Sequence, residues 1–139
     1  MLSVVTPAYN EAQNLPALRA GLESSLGDLG VPWEWIIIDD GSTDGTYALV
    51  KQWWGADHHI RGARLSRNYG SHAALACGLG FARGDAIVFI AGDLQDPPAL
   101  VKALFERWRG GAKVVWGVPT PANRGLRTVY YALLRRGDG

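Results

Sequence analysis

"DAIVFIAGDLQDPPALVKALFERWRGG", residues 85–111, decides the fold. It opens on a near-continuous apolar run, residues 85–92. A run of that length with no polar alternation is a strand covered on both faces. It closes on "PALVKALFERWRGG" (98–111), a helical pattern stopped by Gly110 and Gly111. Between the two, Asp93, Gln95 and Asp96 arrive together, followed by Pro97 and Pro98. Strand, polar turn and helix in that order make up most of a βαβ unit.

The same order recurs outward from this stretch. "LSVVTP" (2–7) is a short β-branched run, and residues 11–26 carry helical spacing with Leu15, Leu18, Leu22 and Leu26. "WEWIIIDD" (33–40) is a buried strand and "GTYALVKQWW" (45–54) a helix. "RGARLS" (61–66) is a weaker strand, followed by a small-residue helix, "SHAALACGLGFARG" (71–84). "AKVVWGV" (112–118) is one more strand. The expected fold is α/β: a mostly parallel sheet with helices on both faces and right-handed crossovers.

The bulk properties fit one such domain. The chain has 139 residues, 47% of them hydrophobic and 19% charged, which is the profile of a packed core rather than a disordered chain. Fourteen Lys and Arg stand against 13 Asp and Glu, so the basic excess of a general nucleic-acid binder is missing. Cys77 is the single cysteine, which excludes an intrachain disulfide and fits a reducing compartment. "MLSVVTP" opens the chain with no basic region and apolar stretch before it, so no signal peptide is expected. No apolar run approaches the roughly 18 residues of a membrane-spanning helix.

In sheets of this kind ligands bind outside the carboxyl ends of the strands. The polar clusters fall there: "PAYNE" (7–11), "DDGSTDGT" (39–46), "SRNYG" (66–70) and "GDLQDPP" (92–98) follow the first four strands. Four clusters on four strand ends converge on one rim.

Each cluster has a bland reading beside a chemical one. Asp93 and Gln95 offer a carboxylate and an amide oxygen to a hard divalent cation, Mg²⁺ or Mn²⁺. Gln95 stays open between ligand and loop residue. Asp96 before two prolines reads as a helix N-cap. Asp39 and Asp40 are adjacent, so only one of them faces the rim directly, where it could accept the N–H of a nucleobase. Asp44 reads as a cap for the helix at 45–54. Tyr9 could lie against a base and Glu11 could accept from a ribose hydroxyl, with Asn10 as a helix N-cap the plainer alternative. Arg67 and the open backbone around Gly70 suit a phosphate, or an exposed loop. His72 has no partners for a Ser-His-Asp set, and Cys77 reads as core. The G-x-G-x-x-G fingerprint is absent after the first strand, which counts against a dinucleotide-binding dehydrogenase. A nucleotidyltransferase would carry a Gly-rich basic loop there, and "PAYNE" is not one.

With these residues in hand, the chain resembles the family 2 glycosyltransferases of the GT-A fold. "VVTPAYNEAQNLPAL" (4–18), "WIIIDDGSTDGT" (35–46), "LSRNYGSHAALACGLGFARGD" (65–85) and "GDLQDPPALV" (92–101) match in order and spacing over residues 2–118. The branch it most resembles is the polyprenyl-phosphate sugar transferases, which include the dolichyl-phosphate ones. The resemblance implies a UDP- or GDP-sugar donor, a divalent cation, a polyprenyl phosphate acceptor, and a cytoplasmic site at the inner face of a membrane. It implies that Pro7, Ala8, Tyr9, Glu11, Asp39, Asp40, Arg67 and Gly70 contact the donor. Asp93 corresponds to the last Asp of the family's D-x-D motif, making it a donor, metal and catalytic residue, with Gln95 as a further metal ligand. Ala91 stands where the motif has its first Asp, so the protein offers fewer oxygens to the metal.

The implied transfer is inverting. Residues 1–118 are expected to form the nucleotide-sugar-binding core, a Rossmann-like half. Residues 119–139 are expected to hold a basic amphipathic helix, "LRTVYYALLRR" (126–136), at a truncated end, suited to a membrane surface or a partner helix. The family's acceptor side would lie beyond it. The rival expectation is a non-catalytic nucleotide-binding fragment or interaction module. Association into a homo-oligomer stays open.

Overall fold

The computed structural model describes residues 1–111 in full and the backbone of residues 114–117 and 130–134. The chain runs β1 (Leu2–Ala8), α1 (Leu15–Leu26), β2 (Trp33–Asp39), α2 (Thr46–Ala56), β3 (Ile60–Arg64), α3 (Ser71–Phe81), β4 (Ala86–Phe89), α4 (Ala99–Arg109), β5 (Val114–Gly117) and β6 (Tyr130–Leu134). The sheet order is β3-β2-β1-β4-β6-β5. β1 pairs in parallel with β2 and β4, and β2 with β3, while β6 runs antiparallel to β4 and β5.

Successive residues of a strand point to opposite faces, so a strand covered on both sides divides its side chains between two cores. Val4, Trp35, Ile37 and Val88 join the larger core, with Leu15, Leu18, Leu22 and Leu26 of α1, Val50 of α2 and Leu104 of α4. Val5, Ile36, Ile38, Ile87 and Phe89 join the smaller one, against Ala74 of α3. The four leucines of α1 are fully buried, and each stabilises the fold by about 1.5–3 kcal/mol. α3 lies close because it is lined with small residues. A Cβ on Gly78 would collide with Cγ1 of Val5 and stand 3.3 Å from Cγ1 of Ile38.

The expected α/β architecture is the one observed, and three local expectations change. The segment read as a helix over 126–136 contains a strand instead: β6 pairs Ala86 with Leu134 and Val88 with Ala132. "YYALL" is rich in aromatic residues, and pairing it with β4 supplies the hydrogen bonds that an open edge would lack. The rest of 126–136 lies outside the described residues, and β6 brings chain from beyond residue 118 into the same sheet. Asp96 is buried but does not cap α4, whose N-cap is Pro98 with no side-chain capping bond. Asn10 does not cap α1, which begins at Leu15. Residues 9–14 form a loop instead.

At the amino ends of the strands, away from the rim, buried Glu34 gathers a polar network. It accepts from Ser3 Oγ at 2.7 Å, from the Arg83 N–H at 2.8 Å and from Arg61 Nη2 at 2.8 Å. Burial opposes its charge, but the bonds from Arg83, Ser3 and Arg61 outweigh burial and hold its carboxyl below the usual glutamate range.

Candidate functional site

The strand order reverses at β1, which has β2 on one side and β4 on the other. The loops leaving β1 and β4 therefore part, and a crevice opens between them. A cleft of about 520 Å³ lies there. Pro7, Ala8, Tyr9 and Glu11 form one wall and Phe89, Ile90, Ala91, Gly92 and Asp93 the other. Asp40, Asn68, Gly70, Ser71 and Leu75 complete it.

Asp40 sits where β2 ends, 3% exposed. Its Oδ1 accepts the Tyr69 N–H at 2.8 Å and its Oδ2 the Gly70 N–H at 3.0 Å. This ties the loop before α3 to the end of β2. Gly41 makes the approach feasible. It has φ of 73°, and a Cβ there would collide with the backbone of Arg67 and Asn68. Asp39 points the other way, as strand alternation requires. It is fully buried, its Oδ1 accepts the Ser42 N–H at 3.1 Å, and its Oδ2 lies 3.3 Å from Arg64 Nε.

The loop after β1 is interlocked with the loop after β2. The Asn10 N–H donates to Ser42 Oγ at 2.8 Å and the Glu11 N–H to Thr46 Oγ1 at 3.0 Å. In return Asn10 Oδ1 accepts the N–H groups of Thr43 at 2.9 Å and Asp44 at 3.2 Å. Asp44 Oδ1 accepts the Thr46 N–H at 2.9 Å, but Asp44 is not the cap the sequence suggested, because the N-cap of α2 is Gly45 with no side-chain capping bond. Burial works against the Asp44 charge, but bonds from Thr46 and the Ala12 N–H hold its carboxyl below the usual aspartate range.

On the opposite wall Asp93 Oδ1 accepts the Gln95 N–H at 3.1 Å. Leu94 between them has φ of 59°, a left-handed conformation uncommon for so large a side chain. Gln95 is exposed and does not line the cleft. Arg67 is also exposed outside it, with its guanidinium 4.6 Å from the centre of the Tyr69 ring.

Of the residues singled out from sequence, Pro7, Ala8, Tyr9, Glu11, Asp40, Gly70 and Asp93 meet in one cleft, whereas Asp39, Arg67 and Gln95 stand outside its lining. Asn68, Ser71, Leu75, Phe89 and Ile90 carried no signal of their own, although Asn68 and Ser71 flank the Gly70 turn. Glu11, Asp40 and Asp93 are acidic, and among the described residues none lining the cleft is Lys or Arg.

A second group of titratable side chains meets at the other end of the sheet. Ligand atoms of Glu23, Asp57 and His59 lie within 4.8 Å of one another. Arg19 already bonds Glu23 at 2.9 Å and Asp57 at 3.1 Å. A guanidinium in that place neutralises the carboxylates and opposes a metal cation, so this is an ion-pair network. No helix among the described residues is long and apolar enough to cross a membrane.

The family model described as glycosyl transferase family 2 matches residues 3–136. An uncharacterized glycosyltransferase, sll0501, of Synechocystis is 40% identical over 115 residues, which cover 83% of this chain and 36% of that protein. The undecaprenyl-phosphate 4-deoxy-4-formamido-L-arabinose transferase of Salmonella newport is 42% identical over 115 residues, 82% of this chain and 35% of that protein. The chain thus spans about a third of the length of the curated relatives it matches. Two solved structures share the fold. Mannosyltransferase PcManGT of Pyrobaculum calidifontis, in complex with GDP-Man and Mn²⁺, gives a TM-score of 0.69 at 22% identity, over 96% of this chain and 44% of that one. S. aureus TarS 1–349, in complex with UDP-GlcNAc, gives 0.67 at 24% identity, over 86% and 37%.

Proposed function

The chain belongs to glycosyl transferase family 2, and we propose from that membership that its cleft binds a nucleotide sugar, UDP- or GDP-linked, for transfer to a polyprenyl phosphate. The observation that carries the reading is the placement of Asp40 and Asp93 on one cleft at the parting of β1 and β4. Asp40 would accept a ring N–H of the base, beside Tyr9. Glu11 would take the ribose, and the N–H groups of the first turn of α3, after Gly70, would face the diphosphate. Arg67 on the rim would reach the phosphates by a change of rotamer, with Asp39 holding the turn beneath the base. The relative named for transfer to undecaprenyl phosphate and the neighbours bound to UDP-GlcNAc and GDP-Man support the choice of ligands.

The charge of the cleft supports a divalent cation. Three carboxylates and no cationic side chain in the lining would repel a diphosphate. Asp93 is the residue that would hold Mg²⁺ or Mn²⁺, and Gln95 would have to turn inward to help. When bound, the cation would offset charge on the departing diphosphate. Transfer by single displacement would invert the sugar: a lipid phosphate oxygen bonds to the anomeric carbon as the bond from that carbon to the nucleoside diphosphate breaks. The lipid phosphate is anionic at neutral pH, since its second pKa is about 6, and it needs no general base. Such an acceptor would put the protein at a membrane surface, on the cytoplasmic side.

Calorimetry with UDP, GDP and ADP in the presence of Mn²⁺ tests the reading. UDP or GDP should bind at least about tenfold more tightly than ADP, because uracil and guanine add a ring N–H to the lone pairs that the Tyr69 and Gly70 N–H groups leave open on Asp40, and adenine does not. Equal binding of all three would remove Asp40 from base recognition.

A further inference from the structure

We infer that Asn10, which does not line the cleft, is a positioning residue that sets its base specificity. The inference rests on the nucleotide-sugar reading above.

Asn10 lies between two residues that do line the cleft, Tyr9 and Glu11. Its φ of 54° turns the chain there. Asn tolerates this conformation better than most residues because its short amide bonds to nearby backbone. Here the side-chain amide bonds across to another loop, Oδ1 taking the N–H groups of Thr43 and Asp44 at 2.9 and 3.2 Å, while the backbone N–H of Asn10 separately reaches Ser42 Oγ at 2.8 Å. Ser42 in turn donates its N–H to Asp39, the neighbour of Asp40. Asn10, through its side chain and its backbone N–H, thus couples the loop that carries Tyr9 to the loop that follows Asp40.

The consequence is geometric. A base held beside Tyr9 and read by Asp40 is discriminated only if ring and carboxylate keep a fixed separation. These two residues follow different strands, β1 and β2, and stand 31 positions apart in sequence. The β1–β2 ladder ties Asp40 to β1, its N–H donating to the Ala8 carbonyl at 2.8 Å. Past Ala8 the Tyr9 loop is held by Asn10, together with the Glu11 N–H on Thr46 Oγ1. Loss of its acceptor would leave two N–H groups seeking water and let the Tyr9 loop drift from Asp40. Discrimination is a difference of two binding free energies and is more sensitive to such drift than binding as a whole.

The test uses Asn10→Gly, which keeps the left-handed backbone accessible and removes only the amide, with Asn10→Asp as the conservative partner. UDP, GDP and ADP are titrated with Mn²⁺ into wild type and both variants, with thermal melts in parallel. Asn10→Gly should lose most of the preference for the better of UDP and GDP over ADP, by about tenfold, and Asn10→Asp should recover it to within about threefold. An unfolded fraction weakens every apparent affinity by the same factor, so a merely structural role leaves that ratio unmoved. A selective wild type with an unchanged ratio in Asn10→Gly overturns the role of Asn10 alone. A wild type that binds no nucleotide, or binds all three equally, overturns the site reading and this inference with it.

Discussion

The Asp40 carboxylate accepts the backbone N–H of Gly70 at 3.0 Å, joining residues 30 positions apart in sequence. Gly70 is the N-cap of α3 and has φ of 97°, open to few residues other than glycine. The bond therefore fixes both the start of the helix and the floor of the cleft. Its negative charge also lies at the positive end of the α3 dipole.

Asp40→Asn should destabilise the fold and the site together. The amide can accept one of the two N–H groups, and its NH₂ would face the other. The cost is about 1–3 kcal/mol. Urea unfolding should show a lower midpoint with an unchanged slope. An unaltered midpoint would mean that the Tyr69 and Gly70 bonds add nothing net.

Asp93→Ala should uncouple metal from nucleotide. Mn²⁺ alone should bind the wild type weakly, since Ala91 has no side-chain oxygen and Gln95 lies outside the cleft lining. Mn²⁺ with UDP or GDP should bind more tightly than either partner alone, and the variant should lose that gain, which reciprocity allows to be measured from either side. Mn²⁺ dependence surviving in Asp93→Ala would assign the metal elsewhere.

Glu34 predicts a pH response unrelated to the cleft. Its carboxyl is held below the usual glutamate range in the folded chain, so it binds a proton less readily folded than unfolded. Its contribution is complete above the unfolded pKa and is lost as pH falls through the lower folded value. Glu34→Gln should cost about 2–4 kcal/mol at neutral pH, because its NH₂ would face donors from Ser3, Arg61 or Arg83. The variant should also lose less further stability than wild type as pH falls below the glutamate range. Parallel acid titrations of the two would refute this role for Glu34.

Much of the site was legible in the sequence because strand ends are local events. Apolar runs ending in polar clusters place "PAYNE", "DDGSTDGT", "SRNYG" and "GDLQDPP" on one rim in any parallel α/β chain. Alternation along β2 makes Asp39 and Asp40 face opposite ways. Which of them enters the cleft depends on the sheet's layers, and there Asp40 faces the cleft while Asp39 meets Arg64. Arg67 and Gln95 carried suitable chemistry in suitable loops, but the direction of a loop side chain has no period to betray it.

Hydrophobic period and chain direction are local properties, so the α/β class, the two-faced burial of β1, β2 and β4 and the gathering of polar loops at one end could be read directly from the residues. Tertiary structure decided the rest. It turned part of the segment at 126–136 into β6, since an open β4 edge rewards pairing more than a short isolated helix rewards itself. It also made Asn10 a clamp rather than a cap. The partners of Asn10 are set by which loops leave neighbouring strands, and β1 lies beside β2, so residues 33 and 34 positions away in the chain come within reach of its amide.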